Sequence, residues 1–284
     1  MNFILGLANF QNNYHKKKSY NLTKSQKIDI LKNLKKNKIY EIDTSPDYGN
    51  SEQLIGLHCN SSIKIHSKLR AIPNTRDKIL LKKWVDKNLF TTIKNLKNKN
   101  IDTYFFHGPN DLLKYQGKIC HDILMKYKDK GFFNKIGISI YDPKLYEKIF
   151  NNFIIENIQA PLNIFDHRMI SKKWLNLKRK YNFTLSARSL FLQGVLVDKS
   201  LFYKIKYYKS KKIVEKWFDY IEKNQLNAVE ECLNFAFTAN IKNVVLGLNN
   251  LKQINKITKH KLKYNKSLLN FKTYYKRLID PRKW

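Results

Sequence analysis

Acidic residues are scarce in this chain: 22 Asp and Glu stand against 55 Lys and Arg in 284 residues, a formal charge of +33. Cysteine is scarcer still. The three present, Cys59, Cys120 and Cys232, are scattered and odd in number, without metal-ligand spacing. That excludes a disulfide framework and a cysteine-based metal site, and it suits free thiols in a reducing cytoplasm. No apolar run approaches the roughly 20 residues of a membrane span. The opening MNFILGLANFQNNYH has no basic leader before its apolar run and no small-residue cleavage site, so it reads as a first strand. A cytoplasmic protein without a metal or a membrane anchor is the expectation.

An excess of positive charge ordinarily raises nucleic acid as a partner. Here the lysines are spread along the whole chain, in Lys16–Lys18, Lys35–Lys38, Lys94–Lys99, Lys204–Lys212 and Lys252–Lys263, interleaved with Asn and Ile. All three residue types are written with A/T-rich codons, so genome bias produces the pattern without selection for a polyanion. Nucleic acid is therefore not the expected partner. The charge still draws anionic cofactors and substrates toward any cleft.

What is present is alternation. Short apolar runs at 3–8, 39–43, 63–68, 101–106, 133–138, 154–159, 183–187 and 243–247 are separated by longer segments of helical spacing, the pattern of β/α units on a parallel sheet. Helix starts are marked by the capping box Thr23 to Gln26 ahead of Ile28, Ile30, Leu31 and Leu34, by Asp142-Pro143, and by Asn250 to Gln253. Eight such units need about 250 residues, which fits one α/β domain over 1–284, a (β/α)8 TIM barrel. The longest unassigned loop, 190–210, is basic and tyrosine-rich and follows the seventh strand. Rim candidates for a pocket are Phe10, Trp84, Arg188, Phe191, Tyr203, Tyr207 and Tyr208.

The densest signal is EIDTSPDYGNSEQLIG, 41–56. A strand ends in Asp43, a turn carries Tyr48 and Gly49, and a helix opens near Ser51. Barrel enzymes keep their chemistry at such C-terminal strand ends. The phrase resembles the second-strand signature of the aldo-keto reductase family, "DTA..YG.SE..LG". Later segments follow the family's order: IHSKL (65–69) with Lys68, YFFHGPN (104–110) with His107, then GFFNKIGIS, NIQAPLNIFD, SARSLFLQG and NVVLGLNNLKQI. The resemblance runs from about residue 3 to the C-terminus. It implies an NAD(P)H-dependent oxidoreductase acting on a small carbonyl or alcohol.

Asp43, Tyr48, Lys68 and His107 match the family's catalytic tetrad one for one, and their chemistry is coherent. A phenol with a pKa of about 10 is a weak acid at neutral pH. A nearby lysine favours the phenolate and lowers that pKa, and an aspartate keeps the lysine charged. A neutral histidine orients the substrate oxygen.

For the cofactor, the resemblance implies that Ser139 and Gln159 hold the nicotinamide carboxamide. Ile140 stands where the family usually has Asn, and Arg188 where many members stack a tyrosine on the nicotinamide. A guanidinium can stack there too, or clamp a pyrophosphate or an acidic substrate. The loop Gly247, Leu248, Asn249, Asn250 and the helix after it correspond to the adenosine-phosphate grip. The family's arginine there is Gln253, leaving backbone donors at a helix N-terminus and the cations Lys252 and Lys256. NADPH is the expected cofactor, with NADH possible. The segment RSLFLQGVL resembles a bacterial subgroup with "RS.FLQG.L", found among surface-polysaccharide pathways, which implies a sugar or nucleotide-sugar substrate. Two other readings keep the barrel: a non-catalytic nicotinamide-nucleotide-binding regulatory module, and a polyanion-binding protein. Oligomeric state is not encoded legibly.

Overall fold

The computed structural model describes residues 1–11, 22–141 and 146–284. Eight parallel strands close a barrel in sequence order: β1 (Asn2–Gly6), β2 (Glu41–Asp43), β3 (Lys64–Leu69), β4 (Ile101–Phe106), β5 (Lys135–Ser139), β6 (Asn157–Pro161), β7 (Thr184–Arg188) and β8 (Asn243–Gly247). β8 pairs back onto β1, from Asn2 against Asn243 to Gly6 against Gly247. Around it run α1 (Lys24–Lys32), α2 (Ser51–His58), α3 (Lys78–Asn95), α4 (Pro109–Leu112), α5 (Tyr115–Asp129), α6 (Tyr146–Phe150), α7 (Lys172–Tyr181), α8 (Tyr208–Lys223), α9 (Ala228–Thr238), α10 (Leu251–Lys259) and α11 (Lys276–Ile279). This is the expected TIM barrel.

Strand alternation sorts the side chains into two environments. The outward set, among them Leu5, Ile42, Ile65, Tyr104, Ile136, Ile158, Ala187 and Val244, joins one apolar core beneath the helices. Most inward positions are instead polar. His66 Nε2 lies 2.9 Å from Glu41 Oε2, Asn157 Nδ2 donates to Thr103 Oγ1 at 3.3 Å, and Ser186 Oγ donates to Asn157 Oδ1 at 3.1 Å. Burial of such groups is tolerable because they satisfy one another. The barrel axis is thus a hydrogen-bonded column that ends, at the C-terminal mouth, in Asp43, Lys68 and Gln159.

Boundaries depart from the sequence expectation chiefly at β1 and β6. β1 stops at Gly6 because Leu7 N–H donates to the Asp43 carbonyl and the chain turns through Ala8–Phe10, burying Asn9 and Phe10. β6 starts at Asn157 rather than 154: Ile154 is exposed and its carbonyl bonds His121 Nε2, so that part of the apolar run is a loop. The Thr23 capping box is present in both directions. The Asp142-Pro143 helix start lies outside the described residues. Among the described residues no helix is long and apolar enough to cross a membrane, and the three cysteines are free and buried.

Candidate active site

β2 and β3 bring Asp43 and Lys68 together. Lys68 Nζ donates to Asp43 Oδ1 at 2.7 Å, to Oδ2 at 2.8 Å and to the Thr44 carbonyl at 2.8 Å, and the lysine is 1% exposed. The same ammonium lies 5.1 Å from the centre of the Tyr48 ring. His107, just past β4, sits 3.7 Å from Asp47 Oδ2. All four line one cavity of about 1030 Å³ at the barrel mouth.

The rest of the 41–56 phrase holds this loop in place. Thr44 Oγ1 and Ser51 Oγ are 2.8 Å apart, and Glu52, buried, accepts from Ser67 Oγ at 2.7 Å, beside Lys68. Gly49 has φ 64°, a left-handed turn that costs glycine little. At Gly56 a Cβ would come 2.1 Å from the Asn95 carbonyl oxygen, so only glycine lets α2 approach the end of α3.

Electrostatics refine the sequence expectation. Burial alone would lower the Lys68 pKa, but attraction to Asp43, then Tyr48, raises it above the ordinary lysine value. For Tyr48 the outcome differs from expectation. Burial raises the phenol above its usual range and outweighs Lys68, the largest of the opposing influences. The lysine is therefore a brake on an upward shift. His107 is pushed down, first by burial and then by the Lys68 charge, which favours neutral imidazole.

Opposite the tetrad, Ser139, Gln159, Arg188, Gly247, Asn249, Gln253 and Lys256 line the same cavity; Asn250 and Lys252 do not. Gln159 is turned onto the acid side: its Nε2 donates to Asp43 Oδ1 at 2.7 Å. Ile140 is buried in the core, and its carbonyl accepts from Arg188 Nη2 at 2.9 Å. The Asn250–Gln253 box forms in altered shape. Asn250 Oδ1 accepts from Gln253 N–H at 2.8 Å, but Gln253 Oε1 reaches Asn249 N–H, also at 2.8 Å. Two backbone donors named for phosphate binding are thus already engaged, which shifts the weight to Lys256.

Several cavity residues escaped the sequence reading. Asn9 Nδ2 donates to the Leu248 carbonyl at 2.7 Å and to Asn249 Oδ1 at 2.5 Å, bolting the β8 loop to the turn after β1. Tyr141, Lys204, Lys206, Arg282 and Trp284 also face the cavity. The basic 190–210 loop was the available signal for the two lysines; a lone Asn after β1 carried none. Of the rim candidates, Arg188 and Phe191 line the cavity. Phe10 is instead core, Trp84 packs on α3 against that core, and Tyr207 and Tyr208 lie away from the mouth. The Tyr203 side chain lies outside the described residues. The loop after β7 is conformationally costly: Ser189, Leu192 and Gln193 all have positive φ. Trp217 Nε1, donating to the Leu196 carbonyl at 2.9 Å, helps hold it.

Among solved structures the fold is similar to the glycerol dehydrogenase AKR11B4 from Gluconobacter oxydans (TM-score 0.70, 16% identity, covering 98% of this chain and 92% of that one). It is likewise similar to the aldo-keto reductase AKR11C1 from Bacillus halodurans in its holo form (0.70, 16%, 95% and 90%). A thermostable aldo-keto reductase, Tm1743, in complex with the inhibitor epalrestat gives 0.68 at 18% identity, over 94% and 92%. No curated protein matches the sequence significantly. These likenesses speak to fold. The sequence profile of the aldo/keto reductase family matches residues 2–266, nearly the whole chain, and the protein is a member of that family of oxidoreductases.

Proposed function

We propose that this oxidoreductase reduces a small carbonyl compound, or runs the reverse oxidation, with Tyr48 as the proton donor. The observation that carries the reading is the buried Lys68–Asp43 pair beneath the Tyr48 ring, opening on the same cavity as His107. Hydride delivery to a carbonyl carbon builds negative charge on its oxygen, and a positioned acid must neutralise it. Tyr48, held protonated by burial, donates that proton. Lys68 stabilises the phenolate left behind, and Asp43 keeps Lys68 charged and in register. Neutral His107 donates a hydrogen bond to the substrate oxygen. A pure nucleotide-binding module has no use for this acid, which counts against the regulatory alternative. For the polyanion alternative, a single basic stripe would be the mark, and the lysines are spread along the chain.

The cavity suits a nicotinamide dinucleotide. Its volume is at the upper end of the roughly 300–1,000 Å³ range of small-molecule sites. Its wall carries Lys68, Arg188, Lys204, Lys206, Lys256 and Arg282 against Asp43 and Asp198. The cofactor supplies the hydride. Ser139 and Gln159 are the residues for its carboxamide, and Gly247, Asn249, Gln253 and Lys256 for its adenosine end. With ammonium groups in place of a guanidinium at that end, NADPH is favoured over NADH by a modest margin. The strand-seven segment favours a sugar or sugar derivative as substrate.

The test is fluorescence titration of the protein with NADPH and NADH, followed by turnover of simple aldehydes with the cofactor that binds. Saturable binding with aldehyde-dependent oxidation of the cofactor is expected. Binding without turnover of any carbonyl would favour the regulatory module, and no binding would remove the reading altogether.

A further inference from the structure

The strongest unexplained charge in the cavity is Arg188. It projects inward from the last position of β7 and lines the cavity with Tyr48 and His107. Its charge reaches both, pulling each of their pKa values down. Its hydrogen bonds run to the Ile140 carbonyl at 2.9 Å and to Ser189 Oγ at 3.4 Å, and among the described residues it forms no ion pair with a carboxylate. A half-buried cation without a counter-charge is costly to hold.

A second guanidinium stands beside it. The Arg188 guanidinium carbon lies 4.0 Å from the centre of the Tyr141 ring, and that of Arg282 lies 3.8 Å from the same centre. Tyr141 follows β5 and Arg282 belongs to the C-terminal segment, so three separate parts of the chain converge here. Arg282 is oriented by Asp280, which it grips at 2.8 and 2.7 Å. Stacking fixes the plane of a guanidinium while leaving its edge to donate hydrogen bonds, the geometry that suits a carboxylate or phosphate. In Arg282 the Nε and Nη2 edge is taken by Asp280, so Arg188 is the donor and Arg282 braces the ring it stacks on. Tyr141 and both arginines line the cavity, with Trp284 completing that wall.

The position of this pair decides what it serves. Lys256, on α10, belongs to the β8 end, where the adenosine phosphate would lie. Arg188 belongs to the end where Tyr48 and His107 stand. A cation there repels an oxidised nicotinamide and gains nothing from a neutral aldehyde. An anionic substrate supplies the missing counter-charge.

Resting on the oxidoreductase reading above, we infer that the substrate is an anionic carbonyl compound whose carboxylate or phosphate is held by Arg188 against the Tyr141 ring, which Arg282 braces. A sugar phosphate or a sugar acid meets this requirement; a neutral sugar does not.

The test uses the full chain with NADPH and two matched aldehyde pairs: butyraldehyde against succinic semialdehyde, and glyceraldehyde against glyceraldehyde 3-phosphate. The charged member of at least one pair should have a kcat/KM roughly 10- to 100-fold above its neutral partner, carried mainly in KM. Which pair shows it distinguishes carboxylate from phosphate. In Arg188→Gln the ratio of charged to neutral kcat/KM should collapse toward one, whatever the absolute rates, and in Arg282→Gln it should fall less. Equal kcat/KM within both pairs in the wild type overturns the inference, as does a preference that survives Arg188→Gln. If no aldehyde turns over although NADPH binds, the oxidoreductase reading fails on its own. Calorimetry with succinate and 3-phosphoglycerate, against neutral butanediol, then tests the anion site alone. Binding that weakens in Arg188→Gln upholds the site, and no binding overturns it.

Discussion

The two halves of the barrel mouth differ in how tightly they are specified. On the β2–β4 side, Lys68 is gripped by both Asp43 oxygens and a backbone carbonyl, and Thr44, Ser51, Glu52 and Gly56 of the supporting phrase each have a visible job. On the β5–β8 side, Gln159 faces Asp43, Ile140 fills an expected Asn position, and Gln253, with Lys256 as the nearby cation, stands where the resemblance implies an arginine. The difference follows from the physics. Proton transfer tolerates little displacement, so its residues are fixed by type and by distance. Holding an elongated polyanion needs positive charge along a groove, and many arrangements provide it.

Breaking the tight half should do the most damage. Lys68→Met leaves Asp43 buried without its counter-ion, which costs about 3–5 kcal/mol in stability. It should also cut carbonyl reduction at least about 100-fold, the scale of general acid catalysis. Lys83→Ala, an exposed lysine on α3, should stay within about 0.5 kcal/mol and keep full activity. Thermal melts and initial rates on both variants check the contrast. Equal behaviour would make Lys68 an ordinary cation.

Gln159 tests where the boundary between the halves runs. Gln159→Leu removes a hydrogen bond to a buried carboxylate, worth roughly 1.5–3 kcal/mol. If the bond to Asp43 is its main service, turnover falls by about tenfold and the pH profile moves, with a smaller change in NADPH affinity. Loss of NADPH affinity at unchanged turnover would return Gln159 wholly to the cofactor half.

A smaller effect is expected at the adenosine end. Lys256→Ala should weaken NADPH several-fold more than NADH, whereas Lys252→Ala, away from the cavity, should do little. The Lys256 effect should shrink as salt screens it. A strong, salt-insensitive NADPH preference in both variants would put the phosphate elsewhere. Arg277 is a poor substitute, since it does not line the cavity.

The smallest expected effect is a flat line. Tyr48 is raised and His107 lowered, so both stay neutral between the ordinary imidazole and phenol values of about 6.5 and 10. Reduction should vary little with pH across that window. Lys68 is raised, so its stabilising contribution is complete below the unfolded lysine pKa and is lost only as pH rises through the higher folded value. His107 has the opposite sign: its preference for the neutral form stabilises above the unfolded imidazole value and is lost as pH falls. A rate maximum confined to acidic pH would contradict these directions.

Much of this molecule was legible in its sequence because the barrel repeats one pattern. Short apolar runs between segments of helical spacing marked all eight strands, and Thr23 and Asn250 marked helix starts. The strand edges failed where apolar residues serve another purpose, as Ile154 and Leu7 do in turns. That Asp43, Tyr48, Lys68 and His107 would meet at one mouth was legible because they stand at or after the ends of neighbouring strands, in the order the family resemblance implies. Tyr141, Arg282 and Asn9 were not, since they meet the cavity through folding of distant segments and carry no local pattern. The upward shift of Tyr48 was missed because sequence shows the neighbouring lysine but not the depth of burial.

The central claim is that Tyr48 protonates the substrate oxygen while contributing little to cofactor binding. Its most direct test is Tyr48→Phe, with single-turnover hydride transfer and NADPH titration measured on the same preparation. Hydride transfer slower by about 10²–10⁴-fold with an unchanged NADPH dissociation constant is the predicted result. A Phe variant that transfers hydride at the wild-type rate would contradict it.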